Sequence, residues 1–381
     1  MADFVPAEAF PAGEFLKDEI DARGWTQEEF ARIIGKAPGL VSDIVNAKRE
    51  ISPELAIRFS AALGTSAQFW LNLDTAYRLY ELSRTDPAPA RIAREAKLRE
   101  NYPVRELIKR NWIKDSEDAE VLEARVLRFY RRPSMSSPRT IAYAARQTGQ
   151  VDSLTPIQEA WLNRVIQIAD ATEVTPYSER SLRDSLEQLS ALRSAPEEVR
   201  HVPRLLAECG IRFVVVEPIM RSSKIDGVCL WLAPDKPVIG MSLRRDTIDN
   251  FWFVLRHEIE HVLRGDGKTT PIVDSQLRDS SGAEAGLSQE EVLANAAGED
   301  FCVPRAELDN FLARVGEAMS EQRVRSFAAR LGVHTGLVVG QLQYRLNRYN
   351  FLSHHLAKVR EIVTSNAMTD GYGRQLLEAV D

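Results

Sequence analysis

Two histidines and a glutamate have the spacing of a metal site in His257-Glu258-Ile259-Glu260-His261. On a helix, residues four apart share one face about one turn apart, so both imidazoles can bind a single Zn²⁺. Glu258 lies one position along, where it can hold a zinc-bound water and take its proton. Because the preceding run FWFVL is typical of a buried helix, the pattern predicts a zinc site with Glu258 as the general base. The alternative is a surface helix that carries two histidines.

A third protein ligand is needed, since catalytic zinc sites hold three protein ligands and an open position for water. The other histidines lack the close downstream spacing of the H-E-x-x-H-x-x-G-x-x-H zincins. Carboxylates are available in residues 288–304, where the neighbours Glu290 and Glu291 could each be proposed, and helix phase separates them. Glu291 shares a face of small side chains with Ala294, Asn295 and Gly298, whereas Glu290 lies about 100° away around the helix. The phase therefore favours Glu291.

These two motifs together resemble the ImmA/IrrE metallopeptidase family over roughly residues 200–350. The segment SQEEVLANAAGEDFCVP (288–304) is similar to that family's E-x-x-A-N…F-x-x-P stretch, with matches at Glu291, Ala294, Asn295, Phe301 and Pro304. The resemblance implies a zincin-like α+β fold. It also implies that His257, His261 and Glu291 are zinc ligands and that Glu258 is the general base.

Two further residues near these motifs leave alternatives open. Glu260 stands where the family often has a small residue. It either crowds the site or, as its angle of about 200° from Glu258 favours, points away from it. His334 could donate a hydrogen bond to a tetrahedral intermediate. Its position in a turn between two helical patterns favours a surface turn residue instead.

The elements that must position the H-E-x-x-H motif begin at about residue 203. The segments IRFVVVE, VCLWLA and PVIGMS are short apolar runs separated by turn residues, which predicts three strands of a small sheet. A helix with Asp246 as its expected cap then carries the motif. Strands followed by this helix are the arrangement in which zinc proteases hold the motif against a sheet.

The first 80 residues predict short helices in a helix-turn-helix layout. Thr26 and Glu29 have the spacing of a capping box, Gly35 ends that helix, and Pro38 begins the next. The helix over 38–46 is expected to bury three apolar side chains, those of Leu40, Val41 and Ile44. A further helix runs from Ser52 and Pro53 to Gly64, and the last begins at a second expected capping box, Thr65 with Gln68.

Residues 10–83 resemble the XRE-type DNA-binding domain of the HigA antitoxin family. The similarity lies in GWTQEEFARIIG, in VSDIVNAKREISPELAIRFSAALG and most specifically in FWLNLD. It implies a five-helix, lambda-repressor-like domain that binds operator DNA. A related pattern, SFAARLGVHTGLVVGQLQYRL (326–346), indicates either a second unit of this kind or, as we favour, a structural helical hairpin.

Side chains that could contact phosphates or bases in this domain are Gln27, Lys36, Ser42, Lys48 and Arg49. Residues 1–83 carry 8 Lys+Arg against 13 Asp+Glu, a net charge of −5, so the domain is expected to dimerise or to borrow positive charge. Residues 84–146 carry 15 Lys+Arg against 9 Asp+Glu, a net charge of +6. This excess of positive charge indicates either a basic surface that contacts nucleic acid or a solvated helix face. A protein-docking surface is the alternative to DNA binding.

Composition bounds the remaining possibilities for this chain of 381 residues. Hydrophobic residues at 44% and charged residues at 27% exclude wholesale disorder. Three cysteines are too few for a disulfide framework, and no run of about 18 apolar residues predicts a membrane span. The acidic start lacks the apolar core of a secretory signal, so we expect a cytoplasmic protein without a membrane partner.

The predicted fold is mainly α-helical with a small β-sheet. Its parts are a helix-turn-helix domain (1–83), a helical connector (84–200), a zincin-like metallopeptidase domain (201–350) and a C-terminal helical tail (351–381). The Pro- and Ala-rich residues 85–97 are expected to form a linker.

The predicted function is that of a DNA-binding transcriptional regulator with a zinc-dependent endopeptidase domain. Its expected partners are operator DNA, a second copy of the chain, and a protein substrate or cognate repressor or toxin. It would act in stress response, mobile-element control or a toxin–antitoxin system by cleaving a partner regulator. The main alternative is an antitoxin-like repressor whose zinc domain binds without catalysis. A second is a metalloprotease whose helix-turn-helix recognises only a protein.

Overall fold

A computed structural model describes most of the chain, namely residues 9–85, 87–137, 146–147, 150–151, 154–220, 223–275, 277, 288–316 and 318–381. Residues 1–8, where the sequence predicts no secretory signal, lie outside this part. The chain divides into two compact units, residues 1–96 and 97–381. Among the described residues, no helix combines the length and the apolar character needed to cross a membrane.

The first unit contains the five predicted helices. They are α1 (Ala12–Ala22), α2 (Gln27–Ile33), α3 (Pro38–Val45), α4 (Pro53–Leu63) and α5 (Ala67–Thr85). The capping box before α2 is confirmed, because the Thr26 hydroxyl accepts from the Glu29 amide at 3.1 Å and the Glu29 carboxylate accepts from the Thr26 amide at 2.7 Å. Gly35, with φ of +66°, takes the left-handed conformation in the turn that leads to α3.

Aromatic and branched side chains form the core of this unit, among them Phe30, Phe59 and Trp70. Leu40, predicted to be buried, is only partly buried. The second predicted capping box is also wrong. Since α5 begins at Ala67, the Ser66 hydroxyl accepts from the Phe69 amide at 3.1 Å, and Thr65 instead accepts from the Trp70 indole at 2.7 Å.

The segment 85–97, predicted as a linker, is mostly helical. Helix α6 (Ala88–Asn101) begins three residues after α5 ends. Its alanines, arginines and glutamates are strong helix formers, and Pro89 lies in the first turn, where proline is tolerated. The boundary between the two compact units falls within this helix. The four-part division of the chain stays a sequence prediction.

The second unit combines helices with two sheets. Its helices are α7 (Val104–Lys109), α8 (Ala119–Phe129), α9 (Pro156–Asp170), α10 (Glu179–Ala191), α11 (Val202–Glu208), α12 (Ile248–Arg264), α13 (Gln289–Cys302), α14 (Arg305–Val315), α15 (Glu321–Leu331), α16 (Thr335–Leu346) and α17 (Arg360–Thr364). Its strands are β1 (Arg146–Gln147), β2 (Gln150–Val151), β3 (Arg212–Val216), β4 (Ile225–Trp231), β5 (Pro237–Met241), β6 (Ile272–Ser275) and β7 (Met368–Asp370).

The larger sheet is mixed, with the strand order β6-β4-β5-β3-β7. Strand β3 is parallel to β5 and β7, whereas β4 is antiparallel to β5 and β6. The three predicted strands are confirmed as β3, β4 and β5, and the described part of the chain is mainly helical with a small mixed sheet, as expected. Strands β6 and β7 have only four and three residues, too few for an alternating pattern to stand out.

Both faces of this sheet are buried, which explains why its strands are nearly continuous apolar runs. Val214 and Val228 pack with Trp161 of α9 in one core, while Cys229 packs with Trp252 of α12 in another. A buried ion pair also ties the unit together: Arg164 of α9 lies 2.5 Å from the Asp370 carboxylate at the end of β7. Because Trp252 of α12 lies in the same core as Cys229 of β4, helix α12 packs directly on the sheet.

The start of helix α12 differs from the expectation. Asp246 does not cap α12, which follows Thr247 without a side-chain cap. Its carboxylate accepts instead from the amides of Val359 and Arg360 at 2.9 and 2.7 Å, at the start of α17. A distant segment therefore uses the oxygen that local spacing assigned to α12.

The C-terminal pattern at 326–346 forms a helical hairpin, α15–turn–α16. Gly332 ends α15 with φ of +68°. The apolar side chains of α16, including Leu337 and Leu342, are fully buried, and α16 packs against α12. A helix covered in this way cannot enter a DNA groove, so the hairpin is structural, as the sequence favoured.

Candidate metal centre

Helix α12 places three buried polar side chains against the sheet. His257, Glu258 and His261 all have exposed fractions of 0%. The two Nε2 atoms of the histidines lie 3.1 Å apart, as expected for positions i and i+4 on one helical face. The structure thus brings together the two predicted histidine ligands and the predicted base.

Helix α13 brings Glu291 to the same place. The Ser288 hydroxyl accepts from the Glu291 amide at 3.4 Å at the start of the helix. Gly298 allows α13 to approach α12 closely, because a Cβ there would lie 2.9 Å from the Phe253 carbonyl oxygen. The Glu291 carboxylate oxygens consequently lie 3.5 Å from His257 Nε2 and 3.6 Å from His261 Nε2. Glu290 does not belong to this donor group.

Asp274 on β6 is a fourth donor, which the sequence reasoning missed. Its Oδ2 lies 3.4 Å from His257 Nε2. His257, His261, Asp274 and Glu291 are all buried, and one potential ligand atom from each lies within 4.8 Å of the others. The sequence feature that could have indicated Asp274 is a single acidic residue inside the apolar stretch PIVDS, but acidic residues are also common at strand ends.

An aspartate orients one of the two histidines. His261 Nδ1 lies 3.1 Å from an Asp266 carboxylate oxygen, which leaves Nε2 directed at the donor group. Burial lowers the pKa of His261 and so favours the neutral imidazole that binds metals. Among the described residues, Nδ1 of His257 has no hydrogen-bond partner.

Glu258 lies beside the donor group and above a glycine of the sheet. A Cβ on Gly227 of β4 would lie 2.8 Å from Glu258 Cδ and closer still to Oε1. Burial, followed by the charge of Asp274, raises the pKa of Glu258 well above its usual value.

The donor set fits a divalent cation. Glu258, Asp274 and Glu291 are three carboxyl groups in one buried cluster, and buried like charges are costly unless a positive charge neutralises them. Imidazole and carboxylate are ligands that suit zinc. The cluster therefore fits a metal ion, with His257, His261 and Glu291 as its predicted ligands and Asp274 as a further donor within reach.

The remaining candidates lie away from this cluster. Glu260 pairs with Arg256 at 2.8 Å and points away from the donors, as the angle around the helix favoured. His334 precedes α16, where its Nδ1 accepts from the Gly336 amide at 3.1 Å. It is thus a capping residue in a turn.

The five predicted DNA-contacting residues lie on and around α2 and α3. Gln27 is the first residue of α2, Lys36 lies in the turn, and Ser42 is on α3. Lys48 and Arg49 follow α3 and are exposed. The Lys36 ammonium lies 2.9 Å from a Glu54 carboxylate oxygen, so its charge is already partly neutralised.

Comparisons with known proteins match the first unit. The family described as Helix-turn-helix matches residues 16–70. The uncharacterised HTH-type transcriptional regulator YddM of Escherichia coli (strain K12) is 36% identical over 73 residues, which cover 19% of this chain and 78% of that protein. Antitoxin HigA-1 of Vibrio cholerae is 36% identical over 70 residues, which cover 18% of this chain and 66% of that protein.

A solved structure gives a match of similar extent. Pseudomonas aeruginosa antitoxin HigA with the higBA promoter is 32% identical and covers 22% of this chain and 91% of its own, with a TM-score of 0.21. That TM-score supports no conclusion about the fold. Each of these similarities covers about a fifth of the chain.

Proposed function

Because the chain belongs to the helix-turn-helix family through residues 16–70, we propose that it is a DNA-binding transcriptional regulator of the XRE/HigA type. The observation that carries this proposal is the family match, which spans α2, the turn at Gly35 and α3. The names of the relatives, a transcriptional regulator and an antitoxin, support it.

In this proposal α3 enters the major groove and the residues around it bind DNA. Ser42 on α3 would reach base edges, and Gln27 at the start of α2 would reach a phosphate. Lys48 and Arg49 supply positive charge beside α3. Since residues 1–83 carry a net charge of −5, two copies binding together would provide the phosphate contacts that one copy lacks. The proposed DNA-binding form is therefore a homodimer.

A gel-shift titration tests this proposal. The probe is the DNA upstream of the protein's own gene, and random DNA of equal length is the control. We expect a retarded complex with the upstream DNA at protein concentrations that leave the random DNA free, and weaker binding as salt rises. Equal binding to both probes at low salt would support the protein-docking alternative.

The second part of the proposal is that residues 201–350 form a zincin-like metallopeptidase domain of the ImmA/IrrE type. His257, His261 and Glu291 would hold zinc, and Asp266 would orient His261. When bound, zinc supplies Lewis-acid activation of water and of a peptide carbonyl. Glu258 would take the proton from the water and return it to the leaving amine. The observation that favours this activity is the burial of Glu258 beside the donor group.

The rival is a non-catalytic zinc-binding module in an antitoxin-like repressor. Both alternatives require the same metal, so metal content does not separate them. They differ in Glu258, which a purely structural site does not need. As partners we propose operator DNA together with a cognate toxin or repressor, on which the second unit would act by cleavage or by binding.

Cleavage of a candidate partner separates the two alternatives. The proteins encoded beside this gene would be incubated with the zinc-loaded chain and inspected for cleavage by mass spectrometry. We expect cleavage by the wild type and none by Glu258→Gln, while both hold zinc. Glu260→Gln is the matched control and should still cleave. Binding of a neighbouring protein without cleavage by any variant would support the non-catalytic module.

A further inference from the structure

The distances from His257 to the other three ligand groups of the metal centre are close to those in a tetrahedral site. In a tetrahedral site with bonds of 2.0–2.1 Å, neighbouring ligand atoms lie about 3.3–3.4 Å apart. The distances from His257 Nε2 to His261, Asp274 and Glu291 are 3.1, 3.4 and 3.5 Å. The second carboxylate oxygen of Glu291, Oε1, lies 3.6 Å from His261 Nε2. Asp274 thus lies as close to the shared centre as the predicted ligands do.

Hydrogen bonding does not account for this arrangement of donors. His257 Nε2 faces three other donor atoms at nearly equal distances, yet one ring nitrogen carries at most one proton and makes one strong hydrogen bond. A metal ion at the centre would be bound by all four side chains at once. Asp274 has an exposed fraction of 2%, so water does not compensate its charge.

We infer that Asp274 is a fourth protein ligand, which gives the resting zinc centre two histidines and two carboxylates and leaves no position for water. This inference rests on the proposed zinc centre. Structural zinc sites have four protein ligands, whereas catalytic sites keep one position open. The resting centre is therefore closed.

Asp274 lies next to Glu258, the proposed general base, so a closed centre would also affect catalysis. Asp274 on β6 pairs in register with Gly227 on β4, and Glu258 lies against Gly227. Asp274 is therefore beside the general base, where a water activated by Glu258 would have to lie. Peptide hydrolysis requires the Asp274 carboxylate to withdraw, so Asp274 acts as an internal inhibitor.

Cobalt substitution tests the coordination directly, without any measurement of proteolysis. The full-length chain is loaded with Co²⁺, and its visible absorption is recorded before and after acetohydroxamate, a ligand for open metal positions. We expect no change in the wild type. In Asp274→Ala the bands should shift and weaken on addition, because a position has opened and the coordination number rises. Asp274→Asn keeps the side-chain volume and serves as the second variant if the alanine variant folds poorly. Its bands should shift in the same direction.

Glu258→Gln is the matched control, since it changes a buried carboxyl group beside the donors that is not itself a ligand. Its cobalt spectrum should match that of the wild type and should not respond to acetohydroxamate. A wild-type spectrum that shifts as much as that of Asp274→Ala would overturn the inference while leaving the zinc centre intact. A wild-type chain that binds no Co²⁺ would reject the zinc centre and the inference together.

Discussion

Gly227 of β4 lies directly beneath Glu258 of α12, and a Cβ on this glycine would lie 2.8 Å from Glu258 Cδ. The glycine is required here because α12 rests on the sheet and Glu258 is fully buried, so its side chain has no free space into which to turn. One missing methyl group therefore makes room for the proposed general base.

Gly227→Ala should destabilise the second unit by about 1–3 kcal/mol, the usual cost of overpacking a buried site. The added methyl group must displace either the Glu258 carboxyl group or the strand. Chemical denaturation followed by far-UV circular dichroism measures the free energy of unfolding.

The control for this prediction is a double-mutant cycle with Glu258→Ala. Removal of the glutamate side chain removes the clash, so Gly227→Ala should cost less in that background than in the wild type. Equal costs in both backgrounds would show that the methyl group clashes with something else.

Helix phase gives a second prediction, about Glu291 and its neighbour. Glu291→Ala should lower zinc affinity by orders of magnitude and abolish any proteolysis, because it removes a ligand. Glu290→Ala should change little, because Glu290 lies outside the donor group. Competition against a fluorescent zinc chelator measures both affinities. The reverse ranking would reject the phase argument and the family alignment.

The salt dependence of DNA binding gives a third prediction. Lys48→Ala and Arg49→Ala should each weaken binding to all DNA sequences and reduce the slope of log K against log salt by about one, as expected for a lost phosphate contact. Lys17→Ala is the matched control, because it removes one exposed positive charge from α1, which is neither of the two helices α2 and α3 proposed to bind DNA. Fluorescence anisotropy at several salt concentrations measures the slopes. Similar losses for all three variants would indicate a general charge effect.

Local patterns predicted the parts of the fold that depend on local interactions. The capping box at Thr26, the left-handed Gly35 and the three longer strands are set by neighbouring residues or by the period of burial. The capping box predicted at Thr65 failed because the adjacent hydroxyl residue, Ser66, caps that helix instead. Asp246 failed because its partners lie more than 100 residues away along the chain.

In the metal centre too, the residues set by local helix spacing could be predicted, and the one set by a long-range contact could not. His257, Glu258 and His261 are one turn of one helix, and Glu291 could be proposed from the phase of a second helix. Asp274 lies on a four-residue strand, and only the pairing of β6 with β4 brings it to the histidines. A sheet register of this kind leaves no periodic trace in the sequence.

The central claim is that the second unit holds one zinc ion between α12, α13 and β6. Elemental analysis of the purified chain tests it most directly, with His257→Ala as the test variant. His354→Ala is the control, because His354 belongs to a separate, exposed group with Glu321 and His355. We predict about one zinc per chain in the wild type and in His354→Ala, and none in His257→Ala. Full retention of zinc by His257→Ala would contradict the account.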